Sequence, residues 1–359
     1  MINLPLFQLL RLSLGTASAL DHPFSAAEWE EVFKQAKKHA LIGVLYSAVE
    51  PLEGEWRPER RVVMRWYTAT ERLKNFNKLV DDVAARVVHT FKVHGIRTCI
   101  LKGQGNALLY PVPARRNPGD VDVWVDMAPR EASRYVHKYT PGTKACYHHI
   151  DFPVHPEVDV EVHYRPSYLC APWRNRRLQR MFNEMREQQF SHIVTLSDGT
   201  GRQMAVPTAE FNAIFQLVHL YRHIFEEGVG LRQLVDYYYV LMQLDEETRR
   251  RTMERARRLG IYRFARAVMY VMSEALGVEP QRWLCEPDAN AGDFLLAEIM
   301  QAGDFGHSDP RYDFAHESQA QKFLRKLRRN FRFVRFYAEE VLCEPFFRVF
   351  HWCYRKSMP

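Results

Sequence analysis

The chain has 359 residues, of which 47% are hydrophobic and 13% aromatic, and its formal net charge is +7. This composition supports a sizeable folded core and excludes a disordered chain. The six cysteines form no Cys-x-x-Cys pair, which argues against a disulfide framework or a zinc site, and no apolar run reaches the roughly 18 residues of a transmembrane helix. We therefore expect a cytoplasmic protein with about two or three domains.

The first part of the chain predicts helices. A capping-box pattern, Ser25 to Glu28, predicts a helix that runs to about Glu50. Pro58 lies near the start of a second long helical pattern, and Gly95 supplies its stop. We therefore assign residues 1–94 to an N-terminal helical region.

The texture of the chain changes near residue 95, where stretches rich in β-branched residues begin. Glycines and prolines separate these stretches, which cover residues 96–101, 121–125, 158–164 and 190–196. Helical patterns at 130–140 and 174–188 lie between the later ones. This alternation predicts a small mixed sheet domain over residues 95–206. From Pro207 the helical periodicity continues to the end, which predicts a C-terminal helical domain over residues 207–359 and an α+β fold overall.

Two late segments are strongly basic, residues 247–260 and 321–335. Such segments predict contact with a polyanion such as nucleic acid, a nucleotide or anionic lipid, or they are solvated helix faces. The final stretch, FFRVFHWCYRKSMP (346–359), is amphipathic and aromatic. It predicts a docked terminal helix, with membrane contact or base stacking as alternatives.

Two carboxylates, Asp120 and Asp122, stand at the start of an apolar strand. Residues i and i+2 of a strand point to the same face, with Cα atoms about 6–7 Å apart, so the two carboxylates repel each other and are costly to bury unpaired. A hard divalent cation such as Mg²⁺ resolves both problems because it prefers carboxylate oxygens. The alternative is an edge strand whose charges face solvent.

A second acidic strand, residues 158–164, supplies Asp159 and Glu161 at the same i, i+2 spacing. If this strand pairs beside the one that carries Asp120 and Asp122, one of its acids reaches the same cation. Two metal ions about 3.5–4 Å apart, held by such carboxylates, form the usual site for phosphoryl transfer. The four acids therefore predict a metal-dependent phosphoryl-transfer site.

A glycine turn ends the first predicted strand, at Lys102-Gly103-Gln104-Gly105. Glycine allows a ligand to approach the backbone closely, and the N-terminus of a helix at roughly 105–110 favours phosphate. Lys102 and Arg116 are the candidates to neutralise phosphate oxygens, Arg116 through a bidentate contact. A strand, a glycine turn, a helix and an acidic strand within about thirty residues predict a nucleotide-binding site.

Histidines gather in the stretch HHIDFPVH (148–155), which holds His148, His149, Asp151 and His155. The spacing fits no zinc pattern, so the stretch predicts a polar loop or hairpin that leads into the Glu161 strand, with a transition-metal site as the alternative. His163 follows Glu161 on the same strand face, where it either lines the site or supports it through a hydrogen bond.

His219 and His223 are four residues apart on a predicted helix. That is the spacing of a zinc helix, but the His-Glu-x-x-His pattern is absent. Two further interpretations stay open for this region, core packing with ion pairs between helices and contact with a phosphate or a base. The polar side chains concerned are Arg222, His223, Arg232 and Asp236.

Taken in order, these motifs resemble the nucleotidyltransferases of the DNA polymerase β superfamily, and especially a bacterial, largely uncharacterised branch of them. The matching residues are Gly95-Ile96, Leu101-Lys102-Gly103, Tyr110-Pro111, Arg116-Asn117-Pro118-Gly119-Asp120-Val121-Asp122 and Val160-Glu161-Val162-His163-Tyr164-Arg165, followed by the helical stretch 219–241. The resemblance covers roughly residues 95–243. It implies a minimal nucleotidyltransferase fold, a mixed sheet flanked by helices, with a helical domain that closes the cleft.

The resemblance also implies roles for single residues. Asp120 and Asp122 would bind two Mg²⁺ ions, with Mn²⁺ as an alternative, and Glu161 would ligate the catalytic metal and help to activate the attacking hydroxyl. Gly103 and Gln104 would hold the triphosphate, at a position where the wider superfamily has Gly-Ser or Gly-Gly. Asp159 is the weaker candidate for the third acid because Glu161 has the matching Val-His context.

The function implied by the resemblance is transfer of a nucleoside monophosphate from an NTP to an acceptor hydroxyl, with release of pyrophosphate. Positioning and charge neutralisation at phosphorus carry most of this chemistry, so few residues are needed. The acceptor is a small molecule, a protein or an RNA, and the basic C-terminal helices favour an anionic one. The alternative is a catalytically inactive relative that acts as a nucleic-acid or protein binding module.

Overall fold

The computed structural model describes residues 4–196, 200–304 and 319–359, with the side chains of the last segment from residue 324 onward. Helices precede the sheet: α1 Pro5–Leu14, α2 Ala26–Lys38, α3 Ile42–Val49 and α4 Arg60–Lys92. The middle of the chain forms β1 Thr98–Ile100, α5 Gln104–Ala107, β2 Val121–Val125, α6 Pro129–Tyr139, β3 His149–Asp151, β4 Val160–His163, α7 Pro172–Ser191, β5 Ile193–Thr195 and β6 Gln203–Ala205. The remaining helices are α8 Ala209–Glu226, α9 Leu231–Met242, α10 Glu246–Arg258, α11 Tyr262–Leu276, α12 Ala289–Ala302, α13 Gln319–Phe331 and α14 Val334–Ser357.

Strand β2 is one of the two inner strands of the main sheet. The strand order is β1-β2-β4-β3, in which β2 pairs antiparallel with β1 and parallel with β4, and β3 pairs antiparallel with β4. Because β2 has a neighbour on both sides, the edge-strand alternative for Asp120 and Asp122 is wrong. The predicted strand at 190–196 forms β5, which pairs with β6 in a separate hairpin. The mixed sheet among helices confirms the predicted α+β class.

The predicted helix from Ser25 to Glu50 is two helices. Ser25 and Glu28 form the predicted capping box at the start of α2. The chain then breaks after α2, where Ala40 adopts a left-handed φ of 55°. Nearly all of α3 is buried, and it packs against α1 and α4, which a straight continuation of the amphipathic α2 would not allow. Within the described residues, no helix combines the length and apolarity needed to cross a membrane.

The N-terminal and C-terminal helices share one hydrophobic core. Helix α1 packs against α11, and the hydroxyl of Tyr238 on α9 donates to the carbonyl of Leu14 at 3.3 Å. A second apolar cluster joins the main sheet to α4 and α6. The N-terminal and C-terminal helices therefore belong to one apolar cluster, and the main sheet with α4 and α6 belongs to the other. The division of the chain at residues 94 and 206 stays a prediction.

A buried histidine joins these two helical regions. His39 follows α2, and its Nδ1 accepts a hydrogen bond from the backbone N–H of Leu231 at 3.4 Å. Burial lowers the pKa of His39 to about 3, below the value of about 6.5 for an exposed histidine. Between these values the unfolded chain binds a proton that the folded protein does not, so stability falls as the pH falls through this window.

We predict that the His39→Gln variant loses less stability on acidification than the wild type. Between pH 7 and pH 5, the loss in the free energy of unfolding should be smaller by about 2 kcal/mol, at about 1.4 kcal/mol per pH unit below the unfolded pKa. Urea denaturation at both pH values measures this difference. His155→Gln, in a half-exposed loop, serves as the control, and an equal pH dependence in the His39 variant and the wild type would contradict the prediction.

Candidate active site

The sheet register brings the predicted acids together. Asp122 on β2 lies directly opposite Glu161 on β4, and the backbone N–H of Val121 donates to the carbonyl of Asp159 at 2.9 Å. Asp122 is almost completely buried, at 1% exposure. Asp120 and Glu161 line one cavity of about 500 Å³. The parallel pairing of β2 and β4 therefore converts two acidic strands that are distant in sequence into one acidic site.

Basic side chains hold these carboxylates together. The Lys102 Nζ lies 3.1 Å from Asp122 Oδ2 and 3.5 Å from Asp120 Oδ2. His163 Nε2 lies between Asp122 and Glu161, 2.9 Å from Asp122 Oδ1 and 3.1 Å from Glu161 Oε2. Lys102 is thus brought to the predicted site, and His163, which is almost fully buried, supports the site through its hydrogen bonds.

The surrounding charges keep Asp122 and Glu161 ionised. Burial opposes ionisation of Asp122, but Lys102 and the hydrogen bond from His163 outweigh it and lower the pKa of Asp122. The same balance, with His163 and His149 as the main basic groups, lowers the pKa of Glu161 to about 2. Burial also opposes the charged form of Lys102, and Asp120 and Asp122 outweigh it and raise the pKa of this lysine. Negative charge is therefore concentrated where a cation could bind.

The predicted glycine turn is present, but the side chain of Gln104 in this turn points away from the acids. Gly103 has a φ of 56°, and a Cβ there would lie 3.1 Å from the carbonyl oxygen of Asp120, so this position favours glycine. The predicted helix at 105–110 is only the short α5. The amide of Gln104 donates to Asp81 on α4 and lines a different cavity. The structure does not bring the Gln104 side chain to the acids, and triphosphate binding by this turn stays a prediction.

Arg116 forms a buried ion pair rather than an open phosphate contact. Its Nε and Nη2 lie 2.7 Å from the two carboxylate oxygens of Asp236 on α9. The hydroxyl of Tyr110 donates to the same carboxylate at 2.6 Å. These bonds engage the guanidinium nitrogens that a bidentate phosphate contact needs. The structure therefore does not place Arg116 as predicted, and it gives Asp236 the ion-pairing role that the sequence left open.

The stretch at 148–155 forms the predicted hairpin into the Glu161 strand. Strand β3 of this hairpin places His149 Nδ1 3.3 Å from Glu161 Oε2 and its Nε2 3.4 Å from Asp151 Oδ1. Burial lowers the pKa of His149, but the hydrogen bond to Asp151 and the nearby acidic groups outweigh it and raise the pKa to about 10. Sequence analysis did not connect His149 to Glu161, because that contact depends on the β3–β4 register.

The structure brings together several donor sets that could hold a metal ion. Their ligand atoms lie within 4.8 Å of one another in three groups: Asp122, Glu161 and His163; His149, Asp151 and Glu161; and His148, His149 and His163. His219 and His223 belong to no such group among the described residues. Their rings lie 4.2 Å apart, both buried in α8. His219 packs in the core, whereas His223 lines the cavity that holds Asp120 and Glu161, so a phosphate contact by His223 stays a prediction.

Helices from the end of the chain complete the cavity around the acids. Lys326 of α13 and Arg348 and His351 of α14 line it, together with Arg222 of α8. The backbone N–H of Tyr147 donates to His351 Nε2 at 3.1 Å, which joins α14 to the hairpin beside the acids. Arg222 was already a candidate for phosphate contact from the sequence. Lys326, Arg348 and His351 were not singled out there: Lys326 lies in the basic segment 321–335, and the other two lie in the aromatic final stretch.

Part of the charge of the other basic segment, residues 247–260, is paired with acidic residues. In α10, Arg250 pairs with Glu247 and Glu254, while Arg251 and Arg255 pair with Glu210 on α8. Solvent-facing ion pairs of this kind reduce the charge that a helix presents to a polyanion. The interpretation as a solvated helix face describes α10 well, and polyanion contact by the basic segments stays a prediction.

Comparison with known proteins places this site in a family. Residues 25–277 match the family described as "Uncharacterised nucleotidyltransferase". The match spans more than half of the chain, so the chain belongs to this nucleotidyltransferase family, as the resemblance implied. No curated protein matches significantly. A solved structure described as an antigenic nucleotidyltransferase-like protein from Paracoccidioides brasiliensis is similar at 13% identity and a TM-score of 0.33, over 62% of this chain and 96% of that chain.

Proposed function

We propose that the protein transfers a nucleoside monophosphate from an NTP to an acceptor hydroxyl. The acceptor oxygen attacks the α-phosphorus, the bond between the α-phosphorus and the bridging oxygen breaks, and pyrophosphate leaves. The proposal depends on one arrangement of acids. Asp122 lies opposite Glu161, and Asp120 and Glu161 line one cavity. Carboxylates held this close repel one another when ionised, and a divalent cation between them would offset that repulsion.

The donor atoms at this site fit divalent cations. Asp122 Oδ2 is buried and accepts no hydrogen bond from the described residues, and it lies 3.1 Å from the ammonium of Lys102. Mg²⁺ prefers carboxylate oxygens of this kind, so Asp120, Asp122 and Glu161 are the residues that would hold it, with Mn²⁺ as the alternative. When bound, the cation supplies charge neutralisation at the phosphates and lowers the barrier to attack at phosphorus.

The remaining roles fall to side chains of the same cavity. Lys102, Arg222, Lys326 and Arg348 line it, and they supply positive charge for a triphosphate. Because Glu161 is ionised, its carboxylate can accept a hydrogen bond from the attacking hydroxyl and fix its direction. His163 holds Asp122 and Glu161 in place through its hydrogen bonds. Binding and orientation would thus provide most of the catalysis, as is general for phosphoryl transfer.

Calorimetric titration with non-hydrolysable analogues of the four NTPs tests the proposal. We expect binding that requires Mg²⁺ and that weakens at least about ten-fold in the Asp120→Asn/Asp122→Asn double variant, because the variant lacks two of the metal's ligands. Asp126→Asn is the matched control, since Asp126 follows the same strand at its other end and pairs with Arg97 and Arg186.

The outcome separates two classes of function. Binding that the control keeps and the double variant loses supports the nucleotidyltransferase. Equal binding in both variants would contradict it. An absence of binding to every analogue, combined with salt-sensitive binding to RNA or DNA, would favour the non-catalytic binding module.

A further inference from the structure

Helix α14 has two apolar faces, and one of them is exposed. Its inner face packs on the body of the protein through side chains such as Phe347 and Tyr354. Its outer face carries five large apolar side chains that are each at least half exposed: Leu342, Phe346, Val349, Phe350 and Trp352. Their spacing places them on one side of the helix, because residues three, four, seven and eight apart are neighbours on an α-helix.

This outer face is separate from the candidate active site. The catalytic cavity is lined from α14 by residues of the inner face, including Glu344, Arg348 and His351. A contiguous exposed patch of this kind is unusual on a soluble monomer and marks a surface that another molecule covers. The proposed nucleotidyl transfer does not use the outer face, so the patch indicates a further property of the protein.

Basic side chains outnumber acidic ones beside the patch, where Glu184 is the acid that lines the adjoining groove. A groove of about 1190 Å³ runs between α7 and α14, where the exposed Arg176 and Arg180 accompany Trp173. At the end of α14, Arg355 and Lys356 are exposed, and Lys356 Nζ lies 3.7 Å from the centre of the Trp352 ring. A matching partner must therefore present an apolar surface to the side chains of the patch and negative charge to the basic side chains beside it.

The shape of the patch selects among such partners. A single partner helix in the groove would cover Phe346 and Phe350, which line it, but would leave Leu342, Val349 and Trp352 exposed, because they lie outside the groove. A second copy of the chain, docked face to face, would bring like charges of the two margins together, which is unfavourable. A lipid surface covers the whole convex side of the helix and offers negative charge at its margin.

We propose that the outer face of α14 binds an anionic bilayer surface. The aromatic and aliphatic side chains enter the boundary between headgroups and acyl chains, and Arg176, Arg180, Arg355 and Lys356 contact lipid phosphates and carboxylates. The helix lies along the surface without crossing it. This property goes beyond the proposed nucleotidyl transfer and does not depend on it.

Co-flotation of the full-length protein with vesicles tests the proposal. The vesicles are pure phosphatidylcholine in one series and phosphatidylcholine mixed with phosphatidylserine in the other. We expect the protein to float with the mixed vesicles and at least about ten-fold less with the neutral ones, because both apolar contact and charge contribute. A Phe346→Ser/Val349→Ser/Trp352→Ser variant should lose at least about ten-fold of this binding, and an Arg176→Gln/Arg180→Gln variant should lose part of it.

A matched control tests whether the binding belongs to α14 rather than to any exposed aromatic side chain. A Tyr67→Ser/Phe76→Ser variant removes two exposed aromatic side chains from α4 and should float like the wild type. Circular dichroism and light scattering show whether each variant is folded and what its oligomeric state is. An absence of flotation with mixed vesicles would overturn the proposal. If light scattering then showed a dimer that the triple variant disrupts, the patch would be an interface between two copies of the chain. Unchanged flotation of the folded triple variant would overturn it as well.

Discussion

Replacing Asp122 by Asn should reduce metal-dependent nucleotidyl transfer by about 10³-fold, which corresponds to about 4 kcal/mol of transition-state stabilisation. Asn keeps the size of the side chain but removes one negative charge from the ionised group that faces both Lys102 and His163. A neutral amide is a much poorer ligand for Mg²⁺ than a carboxylate. The loss should therefore appear in the rate of the chemical step as well as in metal affinity.

The measurement is transfer of label from α-³²P-labelled NTPs to a pool of acceptors from a bacterial extract, with pyrophosphate release as a second readout. The melting temperature of the variant shows whether the fold survives. Asp126→Asn provides the matched control on the same strand, and it should keep the wild-type rate. Full activity in a folded Asp122 variant would remove the acidic strand from the mechanism.

Replacing Arg116 by Met should destabilise the protein by about 3–5 kcal/mol, because it leaves the buried carboxylate of Asp236 without its ionic partner. Both side chains are almost fully buried, and two hydrogen bonds of 2.7 Å join them. Burial raises the pKa of Asp236, but the charge of Arg116 outweighs it and lowers the pKa. Loss of that charge therefore acts directly on the folded state. Urea denaturation measures the free energy of unfolding.

Two further variants define what this loss means. Replacing both partners, Arg116→Met with Asp236→Leu, should recover much of the stability, because no unpaired charge remains buried. Arg250→Met removes an exposed ion pair of α10 and should change stability little. If the Arg116 variant instead keeps its stability and loses NTP affinity, the phosphate role predicted from the sequence would be correct and the structural role would not.

The features that sequence analysis predicted well depend on local patterns. Alternating β-branched residues predict β2, and the Val-Glu-Val-His run predicts β4. Pairing of the two acidic strands side by side was an explicit condition of the predicted acidic site, and the register of Asp122 opposite Glu161 meets it. The capping box at Ser25 is likewise local and correct.

The features that it missed are contacts between residues distant in the chain. Gln104 turns toward Asp81 on α4, and no local pattern encodes that direction. Arg116 finds its partner in α9, 120 residues later. A charged residue in a motif looks the same in sequence whether its partner is a phosphate or a buried carboxylate, so only the tertiary packing distinguishes the two.

The family match ends at residue 277, yet α13 and α14 lie beyond it and supply Lys326, Arg348 and His351 to the cavity wall. The acids and this part of the cavity wall therefore come from inside and outside the matched region, respectively. A homologue that inherits the matched region and replaces its last helices would keep the same reactive carboxylates and enclose them in a differently shaped chamber. Changes of substrate would then require no change in the residues that carry out the reaction.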